Sequence, residues 1–219
     1  SHTGLPSVDF SKWLMDEIEL APFKYAIDNG HPARVMTAHI QYPQIDASEI
    51  ENKHGEKIIV PATMSRKLMT DILKNELGFS GVVISDAMNM AGISANFDLA
   101  EATALSFLAG VDISLMAYPI RNQQDIDGFA PFVKKVANLM KQTSNEFASE
   151  EALLDYVKQS VATIESTKNR FNSIVQSNDD SKWLTNKYRK LEQTLAEKSI
   201  SALKFDSQLL PTNLKTILV

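Results

Sequence analysis

The sequence contains no cysteine, which removes disulfides, thiolate metal sites and cysteine nucleophiles together. No apolar run approaches the roughly 18 residues that a membrane-spanning helix needs. Basic residues are neither in excess nor clustered. The 22 Lys and Arg are interspersed with 27 Asp and Glu for a net charge of −5, which argues against nucleic acid as the main partner. A glycine-rich phosphate loop, a His-x-x-x-His pair and a Gly-x-Ser-x-Gly elbow are missing as well. What remains is a 219-residue chain, 44% hydrophobic and 22% charged. That is the composition of an ordinary globular protein, long enough for one large domain or one and a half average ones.

The stretch around which the rest is organised is Gly81-Val-Val-Ile-Ser-Asp86-Ala-Met-Asn-Met90. A β-branched apolar run ends there in an acidic residue and a loop. Ahead of it, Asp9 to Asn29 is expected to be an amphipathic helix with Phe10, Trp13, Leu14, Ile18, Ala21 and Tyr25 on one face. Asp9 is its expected cap and Gly30 its stop, and Pro22 should kink or split it. Arg34-Val-Met-Thr-Ala-His39 is read as a strand ending at His39. Residues 41–62 form a long connection with a turn at Asn52-Lys-His-Gly55 and a brief extended segment at Ile58-Ile-Val60. Thr63 to Leu77 is the clearest helix, with Met64, Leu68, Met69, Ile72, Leu73 and Leu77 in line, Thr63 as cap and Gly78 as stop.

After the key strand come a helix from Asp98 to Leu108 and a third strand-like run, Val111 to Met116. Alternation of this kind predicts parallel β/α units with helices outside. From Asp125 onward the pattern turns helical, over residues 128–143, 150–172 and 181–199. The terminal Lys215-Thr-Ile-Leu-Val219 reads as a bare strand. Ser1-His-Thr-Gly-Leu-Pro6 reads as the middle of a loop, so the chain is expected to be a piece of a longer protein.

In parallel β/α proteins, groups at the C-terminal ends of the strands carry the chemistry. Asp86 and His39 both fall there, one unit apart, and His2 lies in a loop ahead of the first helix. A carboxylate can serve as nucleophile, and an imidazole can trade protons near neutral pH. Each has a plainer reading. Asp86 can simply cap the next helix, because Asp favours that position. His39 can be a satisfied structural group, and Met88 and Met90 can be core or pocket wall. His31 and His54 read as surface residues; Asp46, Asp71 and Asp112 have no partner visible in the sequence.

Three segments carry a family resemblance. They are Val35-Met-Thr-Ala-His-Ile-Gln-Tyr-Pro43, Pro61-Ala-Thr-Met-Ser65 with the run Gly78 through Met90, and Ala109-Gly-Val-Asp-Ile-Ser-Leu-Met116. Together they resemble glycoside hydrolase family 3, in particular its β-N-acetylhexosaminidase branch. The resemblance implies an α/β fold, the C-terminal part of a (β/α)8 barrel over residues 1–180 followed by a helical tail. A helical linker over 181–213 and the first strand of an α/β sandwich domain at 214–219 are implied next. It implies Asp86 as nucleophile, His2 as general acid/base, and His39 and Met90 as sugar-binding residues. It implies no cofactor or metal, a carbohydrate substrate, and as partner the N-terminal part of the same enzyme. The aspartate that orients His2 would precede Ser1, so the isolated chain is expected to be inactive. Two-domain members are commonly exported.

The implied reaction is a retaining two-step displacement on terminal β-linked N-acetylglucosamine from cell-wall or chitin-type saccharides. The rival readings are a phosphorolytic variant, a sibling β-glucosidase or β-xylosidase, a non-catalytic sugar-binding module and an inactive fragment.

Overall fold

The computed structural model describes residues 4–143, 147–172 and 186–199. The chain divides into two compact units, Ser1–Asn172 and Ser173–Val219. In the second unit the described element is a single helix, α7 (Asn186–Ser199). The expected strand at 214–219 lies outside the described residues, as does His2.

The first unit is built on short parallel strands. β1 (Arg34–Met36) pairs in parallel with β4 (Val82–Ile84), with Val35 opposite Val83. A parallel bridge from Ile84 to Ile113 adds a third extended segment beyond β4. The alternation of strand and helix is therefore the expected α/β one, but the strands are shorter than expected. The run read as ending at His39 is a strand only to Met36, and the run from Val111 to Met116 makes a single bridge. Between β1 and β4 the long connection forms an antiparallel hairpin of β2 (Glu49–Glu51) and β3 (Lys57–Ile59), closed by the expected turn with Gly55 at φ 78°.

The N-terminal segment is helical, split just before Pro22 and ended at Gly30 as expected, but its cap and its buried face differ. Ser11, not Asp9, caps the first turn, α1 (Lys12–Leu14), accepting from the Leu14 N–H at 3.3 Å. The chain then winds through a π-type turn, Met15–Glu19, closed by Leu20 N–H to the Met15 carbonyl at 2.7 Å. It restarts as α2 (Ala21–Gly30), with Pro22 near its beginning, where a missing N–H matters least. The wide turn shifts the helical phase. Met15 and Ile27 are buried, whereas Trp13, Ile18 and Tyr25 are 70%, 59% and 71% exposed.

The helix Lys67–Glu76, also wound with π-type bonds, covers one side of β1 and β4. Its Leu68, Met69, Ile72 and Leu73 pack with Leu77, Phe79, Val83 and Val111 into one core. The apolar face is the one the spacing predicts. Its start differs: Ala62–Met64 forms a separate 3-10 turn, and Ser65 Oγ accepts the Leu68 N–H at 3.1 Å, so Thr63 is not the cap. Gly78 follows the helix at φ 72°, a left-handed position that glycine takes without strain. A Cβ on Gly81 would stand 2.7 Å from the Ala33 carbonyl oxygen, so a side chain there would push β1 and β4 apart.

Asp98 caps α4 (Leu99–Ala109) by accepting from Ala100 and Glu101 N–H at 3.0 and 3.3 Å. This helix is apolar on nearly all sides and is packed on more than one. Ala102 joins Val60, Met64, Met88, Ile93 and Phe97. Ala100 and Ala104 join Val136 and Met140 of α5 (Gln123–Thr143) and Leu153 of α6 (Glu150–Asn172). Helix α5 begins earlier than the expected residue 128 and carries Gly128 and Pro131 within it.

Candidate active site

The strand β4 is buried at Val82 and Val83, with 1% and 0% exposure, and partly buried at Ile84, and it delivers Ser85 and Asp86 at its C-terminal end. Ser85 Oγ accepts the Leu115 N–H at 2.9 Å, and the Ser85 N–H donates to the Ile113 carbonyl at 2.9 Å. The third segment is thereby tied to this strand end.

Asp86 is partly exposed and does not cap a helix. The short helix that follows, α3 (Ala91–Ser94), has Met90 as its cap residue, without a side-chain bond. Asp86 Oδ1 instead accepts the N–H of its own neighbour Ala87 at 2.7 Å. No hydrogen bond to Oδ2 occurs among the described residues. One carboxylate oxygen is thus held while the other stays available, as a nucleophile requires.

His39 is close by but does not face solvent. The ring is fully buried, with Nδ1 2.9 Å from Thr63 Oγ1 and Nε2 3.1 Å from the Ala87 carbonyl oxygen. The same carbonyl accepts the Met90 N–H at 3.0 Å. Both ring nitrogens of His39 have protein partners, and through the Ala87 carbonyl the ring braces the loop after Asp86. Met90 is half-buried in that loop, and Met88 is core, tied by its N–H to the Leu115 carbonyl at 2.9 Å. Thr63 and Thr37, both buried and absent from the sequence-based candidates, complete the cluster. One signal was present: Thr37 and His39 share a face at a spacing of two. Thr63 gave no comparable signal.

Burial is the main cause that holds the His39 imidazole below its ordinary pKa of 6.5, against the opposing pull of the Ala87 carbonyl and the Asp86 carboxylate. The fold therefore favours the neutral ring. The stability this gives is complete above the ordinary value and is lost as pH falls through the lower, folded-state value. Asp46 behaves alike in a more acidic window. Burial pushes its carboxyl up, but bonds from the Ser48 and Ser65 hydroxyls and the Ser48 N–H outweigh it and hold the pKa below 3.8. The melting temperature is thus expected to fall from about pH 7 to about pH 5, with a flatter slope in His39→Asn. Thermal unfolding at stepped pH checks this.

His31 and His54 are exposed, as expected, and His54 Nε2 reaches the Ala95 carbonyl at 2.9 Å from the hairpin turn. A cavity of about 440 Å³ opens at the opposite end of the strands, among Pro32, Ala33, Ser80, Gly81 and Arg170. It precedes both strands and so lies away from Asp86.

Short parallel strands flanked by helices, with a carboxylate held at a strand's C-terminal end, define the β/α class whose chemistry sits on that face. Within it, residues 1–165 match the model of the glycosyl hydrolase family 3 N terminal domain, and the chain belongs to that family. It is 39% identical over 211 residues to beta-hexosaminidase A of Pseudoalteromonas piscicida, covering 95% of this chain and 34% of that one. A beta-hexosaminidase of Neisseria gonorrhoeae is 34% identical over 134 residues, 59% of this chain and 32% of that protein. Among solved structures, the beta-N-acetylglucosaminidase of Thermotoga maritima superposes with a TM-score of 0.56 at 30% identity, over 74% of this chain and 31% of that one. A family 3 beta-N-acetylglucosaminidase of a Paenibacillus species gives 0.62 at 26% identity, over 95% and 37%. The chain therefore spans about a third of the length of these relatives.

Proposed function

We propose that the protein carrying this chain is a retaining β-N-acetylhexosaminidase that removes terminal β-linked N-acetylglucosamine from cell-wall or chitin-type saccharides. The observation that carries the reading is Asp86, which ends a buried strand, caps no helix and has one oxygen pinned to Ala87 N–H at 2.7 Å. The named activities of the relatives support the choice of sugar. Asp86 attacks the anomeric carbon, and the bond to the leaving oxygen breaks as His2 gives that oxygen a proton. Water then cleaves the glycosyl ester, with His2 taking the proton back. Met90, in the loop after Asp86, contributes to the sugar-facing wall.

The chain is proposed as the C-terminal part of a (β/α)8 barrel, completed by the preceding part of the same enzyme. Exposed apolar side chains support this, Met36 of β1 at 56% and Phe23 of α2 at 49%. Trapping tests the nucleophile. The intact protein, incubated with a slow fluorinated N-acetylglucosaminide and digested, should carry the sugar's mass on the peptide containing Asp86. A label on any other residue overturns the assignment.

A further inference from the structure

Thr63 sits in the 3-10 turn Ala62–Met64 with no exposed surface. Its hydroxyl lies 2.9 Å from Thr37 Oγ1 and from His39 Nδ1, and 3.2 Å from the Ala38 carbonyl oxygen. The proton count orders the cluster. The Ala87 carbonyl can only accept, so His39 Nε2 carries the ring proton and donates to it. In the neutral ring Nδ1 then offers a lone pair, and the one Thr63 proton is shared between that nitrogen at 2.9 Å and the Ala38 carbonyl at 3.2 Å. The Thr63 oxygen in turn accepts from the Thr37 hydroxyl. At the far end, Ala87 is held on both sides: its N–H by Asp86 Oδ1 and its carbonyl by His39 Nε2 and Met90 N–H.

We infer that Thr63 is a positioning residue for Asp86, acting through His39 to fix the two peptide units that flank Ala87. The inference rests on the reading of Asp86 as nucleophile. With both peptide units pinned, the backbone at Ala87 cannot rotate, and the carboxylate whose Oδ1 bonds that backbone keeps its rotamer. A satisfied hydroxyl in an apolar core needs one partner. Thr63 has three polar neighbours, and all three, Thr37, Ala38 and His39, lie on the chain leaving β1. It thus couples one strand end to the loop that leaves the next. A misplacement of about 1 Å at a reacting atom costs on the order of a hundredfold in rate, so a loosened Ala87 reads out in turnover.

Two variants of the intact protein test this, with an aryl β-N-acetylglucosaminide as substrate. Thr63→Val keeps the shape and removes the hydroxyl, whereas Thr63→Ser keeps the hydroxyl. Valine is expected to lower kcat about tenfold to a hundredfold with KM changed less than about threefold, and serine to stay near the parent. The His39 Nδ1 nitrogen resonance should move toward its unbonded position in Thr63→Val alone. Parent-like turnover in the valine variant overturns the inference. So does an equal loss in both variants that follows the folded fraction measured by thermal unfolding. Asp86→Ala is assayed beside them. If it keeps turnover, the nucleophile reading fails. If it loses turnover while Thr63→Val does not, only the positioning role fails.

Discussion

Replacing Asp86 by alanine in the intact protein is expected to lower kcat by at least about 10³-fold, the scale seen when a nucleophile working with its acid/base partner is removed. The fold should scarcely notice. Asp86 is partly exposed, supports no helix terminus, and among the described residues its side chain bonds only the N–H of the adjoining residue, at 2.7 Å. Losing a bond of that kind changes stability by about 1 kcal/mol. Asp86→Asn sharpens the point, because its amide oxygen can still accept the Ala87 N–H while the nucleophilic charge is gone. Both variants should be equally slow. A small anion such as azide has room to attack in the alanine variant, forming a glycosyl azide as the aglycone leaves with its proton. Azide should therefore restore turnover to Asp86→Ala and not to Asp86→Asn. Steady-state rates with an aryl β-N-acetylglucosaminide, with and without azide, decide it. A sugar-binding module would keep its affinity in both variants and show no turnover to lose.

The parts of the fold that could be read in the sequence are those held by one uninterrupted period. Leu68, Met69, Ile72, Leu73 and Leu77 lie buried as their spacing predicts. The helix survives its π-type winding because the apolar face is wide enough to absorb the phase drift. The N-terminal segment had no such margin. One wide turn at Met15–Glu19 was enough to bury Met15 and turn Trp13, Ile18 and Tyr25 outward. Nothing in the residues of that turn distinguishes it from an α-helical one. The strands were overextended for a different reason. Apolar β-branched runs report burial, whereas a strand also needs a paired backbone; Ile113 has that at a single bridge.

The site divides along the same line. Asp86 at a strand end is readable because the run Val82 to Ile84 is apolar and β-branched and, after Ser85, a carboxylate terminates it. The plainer reading of Asp86 as a cap failed on geometry that no sequence displays: α3 begins at Ala91, with Met90 as its cap residue, and Asp98 is the residue that caps α4. Thr63 was misread as a cap because Ser65, two residues on, takes that part. Its real partners lie 24 and 26 positions away in the chain. Local patterns carry no record of such pairings, which exist only once β1 and the helix Lys67–Glu76 have packed together.

Asp112 is the residue whose loss should cost the fold most. Its side chain is 4% exposed, and three elements converge on it. The Val83 N–H of β4 donates to Oδ2 at 2.8 Å, while Ser160 Oγ of α6 and Lys74 Nζ donate to Oδ1 at 2.6 and 3.3 Å. The carboxylate thus links the strand that bears Asp86 to helices on its outer face. Asp112→Ala strands a backbone N–H inside the sheet, a hydroxyl and a half-buried ammonium at once, and removal of one partner from such a buried pair costs about 3–5 kcal/mol. Lys74→Ala should cost less, about 1 kcal/mol, because the ammonium is 27% exposed and water screens it. Asp112→Asn should fall between them, since its amide oxygen can still accept from Val83 while the charge that faces Lys74 is lost. Urea unfolding midpoints of the three variants in the intact protein give the order directly. If Asp112→Ala proves no more destabilising than Lys74→Ala, the carboxylate is not what joins these elements, and the burial of Val83 alone must hold in place the strand that ends in Asp86.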